Sequence, residues 1–154
     1  MLLIFYNLFE RIWEVYIESH NFTPSLQAYY TKSMQHNITS IRPFIGAKNF
    51  KESSSFYRDL GFQEVVLSHN MSLFKTGAFG FYLQDAYIKD WIDNTMIFLE
   101  VDDVDRYWNE LLALNLPATY ETVKLQPICK YDWGKECFLH DPSGILWHIG
   151  EFAK

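Results

Sequence analysis

The chain has 154 residues, the usual size of one domain, with 49% apolar, 18% aromatic and 21% charged residues. That balance supports a real core and argues against a mainly disordered chain. Thirteen Lys and Arg stand against nineteen Asp and Glu, a net charge of −6 with no basic cluster, which argues against nucleic-acid binding and electrostatic docking on anionic lipid.

The first 37 residues read as an extension. Leu2, Phe5, Phe9, Trp13 and Tyr16 recur at spacings of three or four, which predicts an amphipathic helix. Glu10, Arg11, Glu14 and Glu18 interrupt the apolar run too early for a membrane span. A basic leader and a small-residue cleavage site are lacking, so no secretory signal is expected. Two readings stay open: a helix packed on the domain or a partner, or a stretch without a role. Cys129 and Cys137 form no C-x-x-C unit and no His stands at finger spacing, which argues against structural zinc. One disulfide is open to them, but two free thiols in a reducing cytoplasm are the expectation.

From Ile38 the chain carries a repeat. Phe44-Ile-Gly-Ala-Lys-Asn-Phe50 matches Phe98-Leu-Glu-Val-Asp-Asp-Val104 at an offset of 54, and Gly80-Phe-Tyr-Leu-Gln84 matches Gly144-Ile-Leu-Trp-His148 at 64. The ten extra residues of the second copy are assigned to the loop holding Pro127 and Trp133. Strands are predicted at about 41–46, 62–68, 71–76 and 79–84, then at about 95–101, 119–126, 134–140 and 145–151. Asn49 followed by Glu52 begins the first helix and Gly61 stops it. Asp102 and Asp103 begin the second, and Pro117 follows its end. His69-Asn70 predicts a hairpin turn, and Asp141-Pro-Ser-Gly144 has type I turn residues in order. Each unit is therefore a strand, a helix and three strands, giving modules at about 40–85 and 95–152 inside a domain spanning 38–154.

The stretches Phe44-Ile-Gly-Ala-Lys-Asn-Phe50, Ser55-Phe-Tyr-Arg-Asp-Leu-Gly-Phe62 and Phe138-Leu-His-Asp-Pro-Ser-Gly144 resemble the vicinal oxygen chelate superfamily. That superfamily includes glyoxalase I, extradiol dioxygenases, and fosfomycin- and bleomycin-resistance proteins. The resemblance implies an α+β fold of paired βαβββ modules curled around a cleft. It does not choose among lyases, dioxygenases and pure binders.

Metal-dependent members place His, Gln or Glu on the first and last strands of each module. The resemblance maps those positions to Arg42, Gln84, Met96 and His148. Arg cannot ligate, and Met is a poor ligand for hard divalent ions, so no metal site and no cofactor are expected. Strand parity gives a second view. Ile45, Phe81, Leu83, Ile97, Leu99, Val101, Trp147 and Ile149 share an apolar face suited to a helix cover. Arg42, Phe44, Tyr82, Gln84, Met96, Phe98, Glu100, Leu146 and His148 share the other, whose mix of aromatic and polar groups suits a small-molecule pocket. Singly, Arg42 and Glu100 read as an ion pair and His148 as a satisfied barrel histidine.

The expected function is metal-free binding of a small organic ligand by sequestration, similar to bleomycin-resistance proteins, by a homodimer. Arg42, Phe44, Tyr82, Gln84, Met96, Phe98, Glu100 and His148 are the ligand-binding candidates. The alternatives are a divalent-metal glyoxalase-like lyase or isomerase, or a dioxygenase, built on His148, Gln84 and Glu100, and a structural or regulatory dimer with a vestigial pocket. The repeat is complete without residues 1–33. A truncation beginning at Met34 is therefore expected to stay soluble and melt within about 10 °C of the full chain. Insolubility or a larger loss would make the segment part of the core.

Overall fold

The computed structural model describes residues 37–153, so the helix expected over Leu2–Tyr16 lies outside the described residues. The first module runs β1 (Phe44–Gly46), α1 (Phe50–Asp59), β2 (Gln63–Ser68), β3 (Met71–Thr76) and β4 (Phe79–Gln84). A short helix α2 (Lys89–Asp93) leads to the second: β5 (Met96–Glu100), α3 (Val104–Leu114), α4 (Leu116–Thr119), β6 (Lys124–Tyr131), β7 (Gly134–His140) and β8 (Leu146–Phe152). Each module forms a four-stranded mixed sheet, ordered β1-β4-β3-β2 and β5-β8-β7-β6. Only the first and last strands of each module run parallel, joined through the helix. The architecture is the expected α+β pairing of βαβββ modules.

The helices start where the sequence places them. The Asn49 side chain accepts from the Glu52 amide, and Asp103 Oδ1 accepts from the Arg106 amide at 2.9 Å. Each satisfies a donor that the first turn leaves without a partner. Lys135 pairs with Asp105 and Glu151, and Glu151 also accepts from the Val104 amide, so β7 and β8 fix the start of α3.

The region after α3 differs from expectation. The strand predicted at 119–126 is replaced by α4, a turn, and then β6 at Lys124–Tyr131. Asn115 turns left-handed (φ 48°) and Pro117 lies in the first turn of α4, where its missing N–H costs nothing. Pro117 thus restarts a helix. Pro127 lies inside edge strand β6, within a register shift between Gln126 and Cys129 that accommodates a residue without a donor.

Strand register also corrects the repeat. Phe44 opposes Tyr82, and Phe98 opposes His148, so an offset of 54 on the first strand accompanies 66, not 64, on the last. Gln63 opposes Lys75 and Leu73 opposes Tyr82, while Lys124 opposes His140 and Phe138 opposes His148, giving offsets of 61 at β6 and 65 at β7. The extra length is therefore spread, with most of it between α3 and β6, and is not confined to the loop with Trp133. The glycine match misled because Gly144 ends the turn before β8 at φ 102°, whereas Gly80 sits inside β4. The module counterpart of His148 is thus Tyr82, and that of Gln84 is Gly150. Both offsets are even, so the assignment of faces survives.

The modules join through their helix-side faces. Tyr57 of α1 is fully buried against Phe74 and Phe81 of its own module and Trp147 of the other. Its hydroxyl donates to Asp141 Oδ2 at 2.7 Å and accepts from Trp147 Nε1 at 3.3 Å. Asp141 Oδ1 accepts from the amides of Ser143, Gly144 and Ile145 at 2.8 to 2.9 Å. Burial pushes the Asp141 carboxyl above the usual carboxylate range while those four donors pull it back. Ser143 Oγ lies 3.1 Å from Ser53 Oγ and accepts from the Lys48 amide, and Tyr120 donates to Asp59 at 2.6 Å.

Asp141→Ala strands three turn amides, that of Ile145 buried, and the buried Tyr57 hydroxyl, and is expected to cost about 3 kcal/mol or more, against about 1–2 kcal/mol for Tyr57→Phe. Urea denaturation measures both. A Tyr57→Phe effect within about 0.5 kcal/mol of zero would deny the hydrogen bond its role at the junction.

Candidate functional site

Because the modules pack through their helix-side faces, the opposite faces turn outward. Ile45, Phe81, Leu83, Trp147 and Ile149 are buried, and Ile97, Leu99 and Val101 are partly buried against the same core. On the outward faces Phe44 is 58%, Met96 67% and Phe98 45% exposed. Each module thus presents an open sheet face that no element among the described residues covers.

The open face of the first sheet is built from β1 and β4. Phe44 and Tyr82, opposite in register, stack at 4.6 Å. Gln84 lies one step along, opposite Met71. Arg42 precedes β1, and its buried Nε has no hydrogen-bond partner among the described residues. No ion pair joins it to Glu100 among the described residues, contrary to the simple pairing expected.

The open face of the second sheet holds more chemistry. His148 Nδ1 lies 2.8 Å from Glu136 Oε2, and Glu136, at 7% exposure, is among the few buried charged residues. Phe138 meets the His148 ring edge-on at 5.1 Å. Phe98 lies across Gly150, where a Cβ would meet its ring at 2.5 Å. Only glycine lets this aromatic ring lie flat over the strand. From Phe98 the aromatic surface continues to Phe152 at 5.6 Å and Trp133 at 6.2 Å, and Tyr131 stacks on Trp133 at 5.4 Å.

The structure divides the expected polar set. Arg42 and Gln84 belong to the first module and Glu100 and His148 to the second, and no hydrogen bond or ion pair joins the four among the described residues. Their convergence was expected because the sequence shows parity but not which faces the modules use to pack. Met96 and Leu146 pair at the start of their strands, on the same open face as His148. The residues missed were Phe138, Tyr131 and Phe152, while Glu136, read from the sequence as facing solvent or the cleft edge, is buried beside His148. Parity within the strand predicted at 134–140 carried the signal, since Glu136 and Phe138 alternate with buried Cys137 and Leu139.

Among the described residues no three of His, Cys, Asp and Glu cluster closely enough to hold a metal ion. Two of the three residues of the metal alternative fit poorly: Gln84 is in one sheet and Glu100 is an exposed edge residue of the other. Cys129 and Cys137 are free. Burial pushes the Cys137 thiol up to about 11, which keeps it protonated and unreactive near neutral pH. Burial and nearby Lys124 hold His140 below the usual histidine range. A mainly apolar groove of about 690 Å³, large enough for a drug-sized molecule, runs by the free edge of β5, lined by Ile41, Pro43, Phe79, Phe98, Glu100 and Trp147 among others. Phe98 and Glu100 belong to both the groove and the open face. No helix among the described residues is long and apolar enough to cross a membrane.

No family model matches the sequence, and no curated protein matches it. Solved structures do match. The bleomycin-binding protein of bleomycin-producing Streptomyces verticillus, complexed with copper(II)-bleomycin, superposes with a TM-score of 0.65 at 20% identity, over 77% of this chain and 100% of that one. Lactoylglutathione lyase from Agrobacterium tumefaciens gives 0.58 at 20% identity, over 75% and 96%. A glyoxalase/bleomycin resistance protein/dioxygenase from Nocardioides gives 0.61 at 13% identity, over 84% and 94%. With its two βαβββ modules and these matches, the chain has the glyoxalase/bleomycin-resistance fold.

Proposed function

We propose that this protein binds a small organic ligand, rich in aromatic surface, and sequesters it without a metal and without breaking a bond. The observation that carries this reading is the uncovered aromatic surface of the second sheet, Phe98, Tyr131, Trp133 and Phe152, beside the His148–Glu136 pair. Flat aromatic rings give contact area at low entropic cost, and a few fixed polar groups among them orient a ligand. The fold is shared with proteins whose structures hold bleomycin, which supports the same class of use here.

The cleft is completed by a second copy of the chain. Phe44, Val66, Met96, Phe98 and Phe152 are large apolar side chains exposed on the surface, which a partner copy can cover. A two-fold pair sets open faces against each other and turns two shallow surfaces into one pocket. Phe44, Tyr82, Met96 and Phe98 supply its apolar walls, and Arg42, Gln84, Glu100 and His148 supply polar contacts. The free cysteines suit a reducing compartment, the cytoplasm.

Light scattering at micromolar concentration is expected to give the mass of two chains, and a monomer mass would remove the closed cleft. Elemental analysis after purification without chelators is expected to find well under one divalent ion per chain. Stoichiometric metal lost in a His148→Ala variant would favour the lyase or dioxygenase alternative. In a melting screen of planar aromatic compounds, bleomycin included, hits are expected to lose at least about tenfold in affinity with Phe98→Ala, about 1.4 kcal/mol. Hits indifferent to Phe98 would move the site elsewhere.

A further inference from the structure

Glu136 has no role in the resemblance that suggested the site, and its surroundings are unusual for a carboxylate. It lies on β7, opposite Gly150, with its side chain only 9% exposed. Its sole ion-pair partner among the described residues is His148 Nδ1. Lys135, next in sequence, points to the helix side and is taken by Asp105 and Glu151. Lys124 and His140 lie at the far end of the same face, opposite each other in register, and Cys129 opposes Glu136 from β6. A buried carboxylate whose single partner is an imidazole lacks a fixed countercharge unless that imidazole is protonated.

His148 completes the arrangement. When neutral it gives its Nδ1 proton to Glu136, which leaves Nε2 with a lone pair. Nε2 makes no hydrogen bond among the described residues, and the His148 side chain is 26% exposed. A carboxylate on the far nitrogen raises the acceptor strength of the near one. Phe138 meets the His148 ring at 5.1 Å, Phe98 opposes His148 in register, and from Phe98 the aromatic run continues to Trp133 and Phe152; aromatic faces attract positive charge.

We propose that Glu136 and His148 act as one unit that selects an organic cation with a planar, hydrogen-bond-donating head such as an amidinium or an aminated heteroaromatic. His148 Nε2 takes the donor, Glu136 supplies the countercharge as a positioning residue, and Phe98 lies against the plane. Gly150 belongs to the device, because it lets Phe98 lie close to the pair. This inference rests on the ligand-binding reading of the open face and adds the charge and donor character of what binds.

The test compares three isosteric probes, benzamidinium, benzamide and benzoate, by calorimetry on the full chain and by nitrogen NMR of the imidazoles, with His148 assigned through His148→Gln. Benzamidinium is expected to bind at least about tenfold tighter than benzamide, benzoate to bind weakest, and benzamidinium to shift the His148 Nε2 resonance. Free His148 is expected to carry its proton on Nδ1. Glu136→Gln keeps an acceptor for Nδ1 but removes the charge, and is expected to cost benzamidinium about tenfold while leaving benzamide unchanged. The wild-type NMR arm holds even if that variant fails to fold. A proton on Nε2, equal binding of benzamide and benzamidinium, or a Glu136→Gln variant that binds both as before would each overturn the proposal. If benzamide binds as well as benzamidinium, this proposal falls and the ligand-binding reading stands. If no probe binds at millimolar concentration, the ligand-binding reading falls with it.

Discussion

The bond from the Tyr57 hydroxyl to the buried Asp141 carboxylate decides how the rest of the molecule is arranged. Asp141 belongs to the turn before the last strand of module two, and Tyr57 to the helix of module one. A buried carboxylate is tolerated only with its oxygens occupied, and here three turn amides and the tyrosine occupy them. The turn thus holds its shape and the first module's helix is held to the second module's sheet. Trp147 and Phe81 pack around the junction at 5.3 Å, so burial and hydrogen bonding act on the same contact.

Two consequences follow. The helix-side faces are used up in joining the modules, which leaves both open faces to water or to another molecule. Those faces are not equal. The first offers a stacked Phe44–Tyr82 pair, while the second offers the paired Glu136 and His148 and an aromatic run reaching the β6–β7 hairpin. Register explains the difference: the position of His148 in one module is Tyr82 in the other, and that of Gly150 is Gln84. The two modules share one frame, and their open faces carry different chemistry.

Much of this was legible in the sequence. The capped starts at Asn49 and Asp103, the turn at Asp141–Gly144 and the two-residue period of the strands are local signals, and local signals survive folding. The faces came out right even though the repeat was misaligned by two residues, because a shift of two preserves parity. Non-local features were not legible. Nothing near Glu136 in sequence says that it bonds His148 twelve residues away, since that requires the β7–β8 register. The outward turn of both open faces depends on a tyrosine meeting an aspartate 84 residues away. Pro117 and Pro127 misled for a related reason: proline marks a break, but its context decides whether a helix restarts or an edge strand bulges.

The central claim is that the open faces become the inner walls of a cleft between two chains. Hydroxyl-radical footprinting at micromolar protein reads it most directly through Met96 and Phe98, which a single chain exposes at 67% and 45%. The account predicts strong protection at both in the wild-type protein, with Trp91, 70% exposed on α2, still reactive. Met96 and Phe98 reacting as freely as Trp91 would contradict it.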